Sequence, residues 1–290
     1  MKLIYLLCAM TSFFMVSESP QNDGSYFGGK YKIITKYKNS KMYRLYDFSR
    51  EGVTMKAKYF ATNAYTEYNR WKSGKNILLI APGAFSNSLE PENADPVGLT
   101  VDNGRVVNRN IDHIMDGMVI VYNGGRQQGG VAVVDLDMKP VRVEKTYGSG
   151  IYNSYYPRSS SSDKENFIQW GKYQGVTLFQ TQLLYSKDKY SNFTNLKHGG
   201  KRERRFLALC KKAGVVHHVV IDAPEYEYLN VAAKEAKEVL EGQGLSVLYV
   251  MNLDTGRYDI LHAHDGNTLQ NLRPRVNLRD ATNLIVYYKD

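Results

Sequence analysis

The sequence predicts an α+β fold of strand-rich mixed sheets with a few flanking helices. Three observations lead there. Short apolar or alternating runs rich in Val, Ile and Tyr recur along the 290 residues, and such side chains favour strands. Helical periodicity is confined to a few segments. Near the C-terminus a strand, an amphipathic helix and a second strand follow one another between Val215 and Leu253, the order of a crossover unit.

The first element is a leader. Lys2 precedes an apolar run from Leu3 to Val16, and small and turn-forming residues follow to Pro20. That run is shorter than the roughly 20 residues a membrane span needs, and it predicts a signal peptide over 1–19. Residues 20–76 read as a β-rich N-terminal extension, with alternation over 31–37 and 42–46. The main domain is expected over 77–290. Within it, 76–83 reads as a buried strand closed by Pro82-Gly83. Residues 97–107 place Asn103-Gly104 between two β-prone runs, a strong hairpin signal. Strands are also expected at 118–122, 130–134, 141–143, 175–181 and 215–221. A helix is expected over 231–241 with Asn230 as its cap and Gly242 and Gly244 as its stop. Ser159 to Asp163 reads as a flexible loop of the kind that can serve as a lid.

Composition narrows the class. Against 29 acidic residues stand 38 Lys and Arg, a net charge of +9, which suits an anionic partner: a phosphorylated carbohydrate or other anionic glycan, lipid headgroups or nucleic acid. No nucleic-acid motif is present. With the leader removed, Cys210 is the remaining cysteine. A disulfide framework is therefore excluded. Export without disulfides points to a bacterial periplasm or cell surface.

The candidate chemistry centres on 247–256, an apolar strand that breaks into Asn252, Asp254 and Gly256. A rigid strand delivering polar groups to a loop is a common place for a site. Asp254 fits a catalytic carboxylate and fits equally an Asp that bonds turn amides. Arg204 and Arg205 can pair a phosphate through a planar guanidinium, although a strand turns only one of them towards a cleft. Their charge run, 201–205, also suits a solvated edge. The glycine-rich 123–130 contains Arg126 and could cradle an anion or serve as a hairpin connection. His262 and His264, at i and i+2, would share a strand face without a third ligand at standard spacing. His217 and His218 must face opposite sides. Cys210 adjoins Lys211, which could lower its pKa. Asp112, His113 and Asp116 form an acid–imidazole cluster or a helix cap. No metal or cofactor is expected.

The order of motifs resembles the phosphodiester glycosidase family. The resemblance is carried by Ile80-Ala-Pro-Gly-Ala-Phe85, by Asp95-Pro-Val-Gly-Leu-Thr-Val-Asp-Asn-Gly104 and by Phe179-Gln-Thr-Gln-Leu-Leu184. It continues through Arg204 or Arg205 before 206–209, and ends in Met251-Asn-Leu-Asp-Thr-Gly256. It covers residue 77 to the C-terminus, with 276–287 resembling the family's closing strand. What it implies is a hydrolase that cleaves a sugar-1-phosphodiester in an envelope or extracellular glycan. Asp254 would be the catalytic carboxylate and Asn252 would orient the sugar. Arg204 or Arg205 would hold the phosphate, with Thr181, Gln180, Gly256 and Arg126 on the substrate. The chain departs from the family at Ala81-Pro82, and Thr255, Arg257 and Tyr258 replace residues of its glycine-rich loop. Those departures keep a second reading open, a non-catalytic glycan- or envelope-binding protein on the same scaffold.

Overall fold

The computed structural model describes residues 24–88, 90–124, 128–138, 140–146, 148–188, 193, 200–256 and 259–290. The leader expected over 1–19 lies outside the described residues, and so does Arg126. In chain order the strands begin with β1 (Gly24–Tyr26), β2 (Tyr31–Lys38), β3 (Lys41–Ser49) and β4 (Lys56–Phe60). Helix α1 (Ala64–Trp71) precedes β5 (Asn76–Ala81), β6 (Thr100–Asp102), β7 (Arg105–Asn108), β8 (Gly117–Tyr122), β9 (Val131–Asp135), β10 (Val141–Glu144) and β11 (Tyr152–Tyr155). Helix α2 (Ser161–Tyr173) leads to β12 (Val176–Thr181), β13 (Leu183–Ser186), β14 (Arg202–Lys212) and β15 (Val215–Glu227). Helix α3 (Leu229–Gly242) then leads to β16 (Ser246–Leu253), β17 (His262–His264), β18 (Leu269–Asn271) and β19 (Leu284–Lys289).

The fold is α+β. Three sheets carry most strands, in the orders β1-β2-β3-β15-β14-β16-β13, β7-β6-β12-β8-β9 and β18-β17-β5-β19-β4; β10 and β11 form a separate pair. Among the described residues every strand pairing is antiparallel. The three sheets surround one core that draws Phe48 and Leu207 from the first, Phe179 from the second and Tyr59 and Tyr287 from the third. Phe48 stacks on Tyr287 at 4.2 Å between ring centroids, and Tyr59 stacks on Phe179 at the same distance. These offset aromatic contacts tie sheet to sheet beyond simple area burial. Each sheet's outer face carries one helix: α3 on the seven-stranded sheet, α2 on the second and α1 on the third.

Several expectations are refined by the structure. Strands β2 and β3 join the seven-stranded sheet and β4 pairs with β19, so the strands between residues 24 and 60 are woven into the same sheets as the rest. The Asn103-Gly104 hairpin forms, with φ of 48° and 81°, the left-handed pair that a type I′ turn requires. Ser159 to Asp163 is not a lid. Ser160 caps α2 by accepting from the Asp163 amide at 3.2 Å, which satisfies one of the helix's orphan donors. Asn230 lies inside the first turn of α3, whose cap position is Tyr228. Strand β14 is no solvated edge: it runs between β15 and β16 with its middle buried. The crossover from β15 through α3 to β16 therefore steps over β14. The closing strand is β19 alone, and residues 278–280 form a 3₁₀ turn before it.

Candidate functional site

The site is built where β16 leaves the core. Leu253 is fully buried in the central cluster, and alternation turns Asn252 and Asp254 the other way. The Asn252 amide hydrogen bonds the Gln182 carbonyl at 2.9 Å, and its side-chain Nδ2 donates to Gln182 Oε1 at 2.8 Å. The Thr181 hydroxyl donates to the Asn252 carbonyl. One residue past the strand, the Asp254 amide donates to the Gly83 carbonyl at 3.1 Å. The tip is thus pinned to the β12–β13 junction on one side and to the turn after β5 on the other. Asp254 Oδ1 accepts from the Gly256 amide at 2.7 Å, the side-chain turn that Asp residues make.

The opposite wall is the segment after β5, and its shape depends on Asn283. Asn283 Oδ1 accepts from the Gly83 and Ala84 amides, both at 2.9 Å, while its Nδ2 donates to the Ala84 carbonyl and to Ser86 Oγ. The side chain is fully buried, so each of these bonds forms where an unmet donor or acceptor would be costly. Ser86 in turn donates to Thr282 Oγ1 at 2.7 Å.

Between the two walls lies a cleft of about 230 Å³ lined by Phe85, Ser86, Arg202, Arg204, Asn252, Asp254, Gly256 and Thr282, among others. Arg204 is only 7% exposed. Its Nε donates to the Glu227 carbonyl at 3.2 Å and its Nη2 to the Gly200 carbonyl at 2.8 Å. No ion pair to it exists among the described residues. Burial, aided by the like charge of Arg202, lowers its pKa. Burial also raises the Asp254 carboxyl above its ordinary value, opposed by the Gly256 amide and the charge of Arg205. The cleft therefore presents one desolvated carboxyl and one desolvated guanidinium, which is the kind of perturbed pair found at sites.

The remaining expected residues lie elsewhere. Arg205 points to the opposite face of β14 and is fully buried. It pairs with Asp222 at 3.2 Å and Asp259 at 2.6 Å, and Arg273 bridges the same two carboxylates at 3.0 and 2.8 Å. Although its Nε has no partner, this guanidinium is committed to two buried carboxylates and does not line the cleft. Gln180 is also fully buried, accepting from the Leu99 and Asp112 amides and donating to the Asp112 and Met115 carbonyls. Gln180 and Thr181 hold main chain rather than line the cleft. Asp112 is spent on the Ile114 and Met115 amides. Cys210 is buried, and burial raises its thiol pKa instead of Lys211 lowering it. His217 binds Asp47 at 2.7 Å while His218 faces inward, its pKa depressed by burial to about 3. His264 accepts from the Gly266 amide. Among the described residues no three His, Cys, Asp or Glu cluster to hold a metal ion.

Sequence reasoning missed Ser86, Arg202, Thr282 and Asn283. The only signal for the last two was a short polar step, Asp280-Ala-Thr-Asn283, ahead of an apolar strand.

No protein-family model matches this chain, and no curated protein matches it. Among solved structures, the chain is similar to the zebrafish N-acetylglucosamine-1-phosphodiester alpha-N-acetylglucosaminidase catalytic domain, auto-inhibited by its pro-peptide. That similarity has 10% identity and a TM-score of 0.48, covering 89% of this chain and 81% of the other. A hypothetical protein from Synechocystis is similar at 12% identity and a TM-score of 0.46, over 90% of this chain and 62% of that one. Both are distant similarities of fold.

Proposed function

We propose that this protein is an exported hydrolase that cleaves the bond between a sugar and phosphate in a glycosyl phosphodiester of an envelope or extracellular glycan. The observation that carries the reading is Arg204: a buried guanidinium without an ion pair among the described residues, opening into the cleft that holds Asp254 and Asn252. A phosphate placed there would take the bidentate hydrogen bonds that a guanidinium prefers.

The chemistry suits one carboxylate. Ordinary glycosides leave as alkoxides and need a protonating acid beside a second carboxylate. A phosphomonoester is a far weaker base, so its departure needs a cation rather than an acid. In the proposed reaction the bond from the anomeric carbon to the phosphate oxygen breaks with its electrons going to phosphate, which Arg204 stabilises. Water attacks the same carbon and gives its proton to Asp254, whose raised pKa makes it a stronger base. Asn252, its Nδ2 held by Gln182, orients the sugar.

The second reading, a glycan binder without turnover, is favoured by one detail. Asp254 Oδ1 already accepts the Gly256 amide, as a purely structural turn Asp would. Incubation with synthetic phosphodiesters of N-acetylglucosamine and other sugars separates the two. Release of free sugar, lost in Asp254→Ala, supports the hydrolase. Ligand binding without release, unchanged in that variant, supports the binder.

A further inference from the structure

A second groove lies between α1 and the β6–β7 hairpin, lined by Lys58, Phe60, Asn63, Trp71, Asn103 and Arg105 together with Thr62, Glu67, Arg70 and Asp102. Its volume, about 610 Å³, lies within the range of small-molecule sites. Its charges divide unequally. Glu67 is spent on Arg70 at 2.8 Å. Asp102 accepts from the Ala61 amide at 3.2 Å and from the Thr177 hydroxyl at 3.3 Å. Lys58, Arg105 and Asp102 all bond neutral partners, and among the described residues none of the three makes an ion pair, so the groove holds two unpaired cations against one unpaired carboxylate. Arg105 Nη2 donates to Thr62 Oγ1 at 2.8 Å, and Lys58 Nζ donates to Asn123 Oδ1 at 3.0 Å.

The Lys58 contact is fixed from behind. Asn123 Nδ2 donates to the Gly175 carbonyl and to Thr177 Oγ1, so its oxygen is the end left for the lysine. A half-buried ammonium held by a neutral amide remains short of negative charge. Burial accordingly holds its pKa below the ordinary lysine value, with Asp102 acting against that. Trp71, in the same lining, is held edge-on to Phe60 at 5.4 Å and to Tyr288 at 4.6 Å. A rigid indole beside amide and carboxylate side chains suits a ring with apolar C–H faces and peripheral hydroxyls.

We infer that this groove binds an anionic saccharide, its phosphate or carboxylate between Lys58 and Arg105 and its ring against Trp71. The inference is independent of the chemistry at Asp254. It also gives a role to Asn123, which orients the lysine.

The test uses the two tryptophans of the chain, Trp71 and Trp170. Indole ¹⁵N labelling of the full chain gives two signals, assigned by Trp71→Phe. Glucose 1-phosphate, glucuronate, glucose and inorganic phosphate are titrated separately. The expected result is a saturable shift of the Trp71 signal with glucose 1-phosphate or glucuronate; whichever shifts it identifies the anion. The dissociation constant should rise about tenfold in both Lys58→Gln and Arg105→Gln, as loss of a charge-assisted contact predicts. Arg105 is exposed, so its variant is expected to fold even if Lys58→Gln does not. Arg204→Gln should leave the Trp71 titration unchanged. A shift equally strong with glucose, no saturable shift with any probe, or affinity indifferent to Arg105→Gln would overturn the inference. Loss of the Trp71 shift in Arg204→Gln would also overturn it, by assigning the binding to the first cleft.

Discussion

Arg204 and Arg205, neighbours in the chain, project to opposite faces of β14 and have opposite electrostatic fates. Arg205 is locked between Asp222 and Asp259 inside the protein, whereas Arg204 rests on two carbonyls at the wall of a cleft. The pleat of the strand makes this division unavoidable.

Substitution of the two arginines should therefore separate stability from ligand binding. Arg205→Met leaves two buried carboxylates short of a partner and should cost about 3–5 kcal/mol in urea unfolding. Arg204→Gln removes hydrogen bonds to carbonyls and should cost about 1–3 kcal/mol. Yet Arg204→Gln alone should raise the KM for a phosphodiester tenfold or more. Equal stability losses, with no kinetic difference, would contradict the assignment.

Asp254→Asn should lower turnover by about a hundredfold or more, the usual contribution of a positioned proton acceptor. It should also raise the thermal midpoint at neutral pH. Burial lifts the folded-state pKa of this carboxyl, so its contribution to stability is present below its unfolded value near pH 4 and is lost as pH rises through the folded value. Asparagine keeps an acceptor for the Gly256 amide without the charge. Calorimetry at pH 7 checks this, and a fall in the midpoint would contradict it.

His218 should govern part of the acid limb. Its folded pKa, about 3, lies below the ordinary value, so its contribution is complete above about pH 6.5 and is lost as pH falls towards the folded value. Between about pH 6.5 and 4.5 the loss amounts to as much as about 2–3 kcal/mol. Denaturant midpoints across that range should fall less steeply in His218→Leu than in the parent chain. Parallel slopes would count against it.

Asn283→Ala should deprive the Gly83 and Ala84 amides of their acceptor and cost about 2–4 kcal/mol in denaturant unfolding. Since those amides shape the wall that faces Asp254, kcat/KM on a phosphodiester should fall as well. A stable variant with unaltered kinetics would show that the wall is held by other means.

Ser160→Ala tests the start of α2. Loss of the cap should cost about 1 kcal/mol, read as a lower thermal midpoint without a change in the affinity of the cleft. This prediction marks a limit of the linear reading: four consecutive serines before a charged stretch look like a loop until the capped helix behind them is seen.

The sequence by itself determined the strand-rich α+β class, the Asn103-Gly104 hairpin and the crossover through α3. All of these are local: period-two alternation, turn chemistry and helical periodicity act over a few residues. Tertiary structure decided what depends on segments far apart in the chain. It set β14 in the middle of a sheet rather than at an edge. It gave Arg204 to the cleft and Arg205 to an ion-pair network with Asp222 and Asp259. It brought Asn283 about two hundred residues back to shape the turn at Gly83. Composition and spacing carry no record of such meetings, because burial and pairing are properties of the folded neighbourhood and not of the residue that enters it.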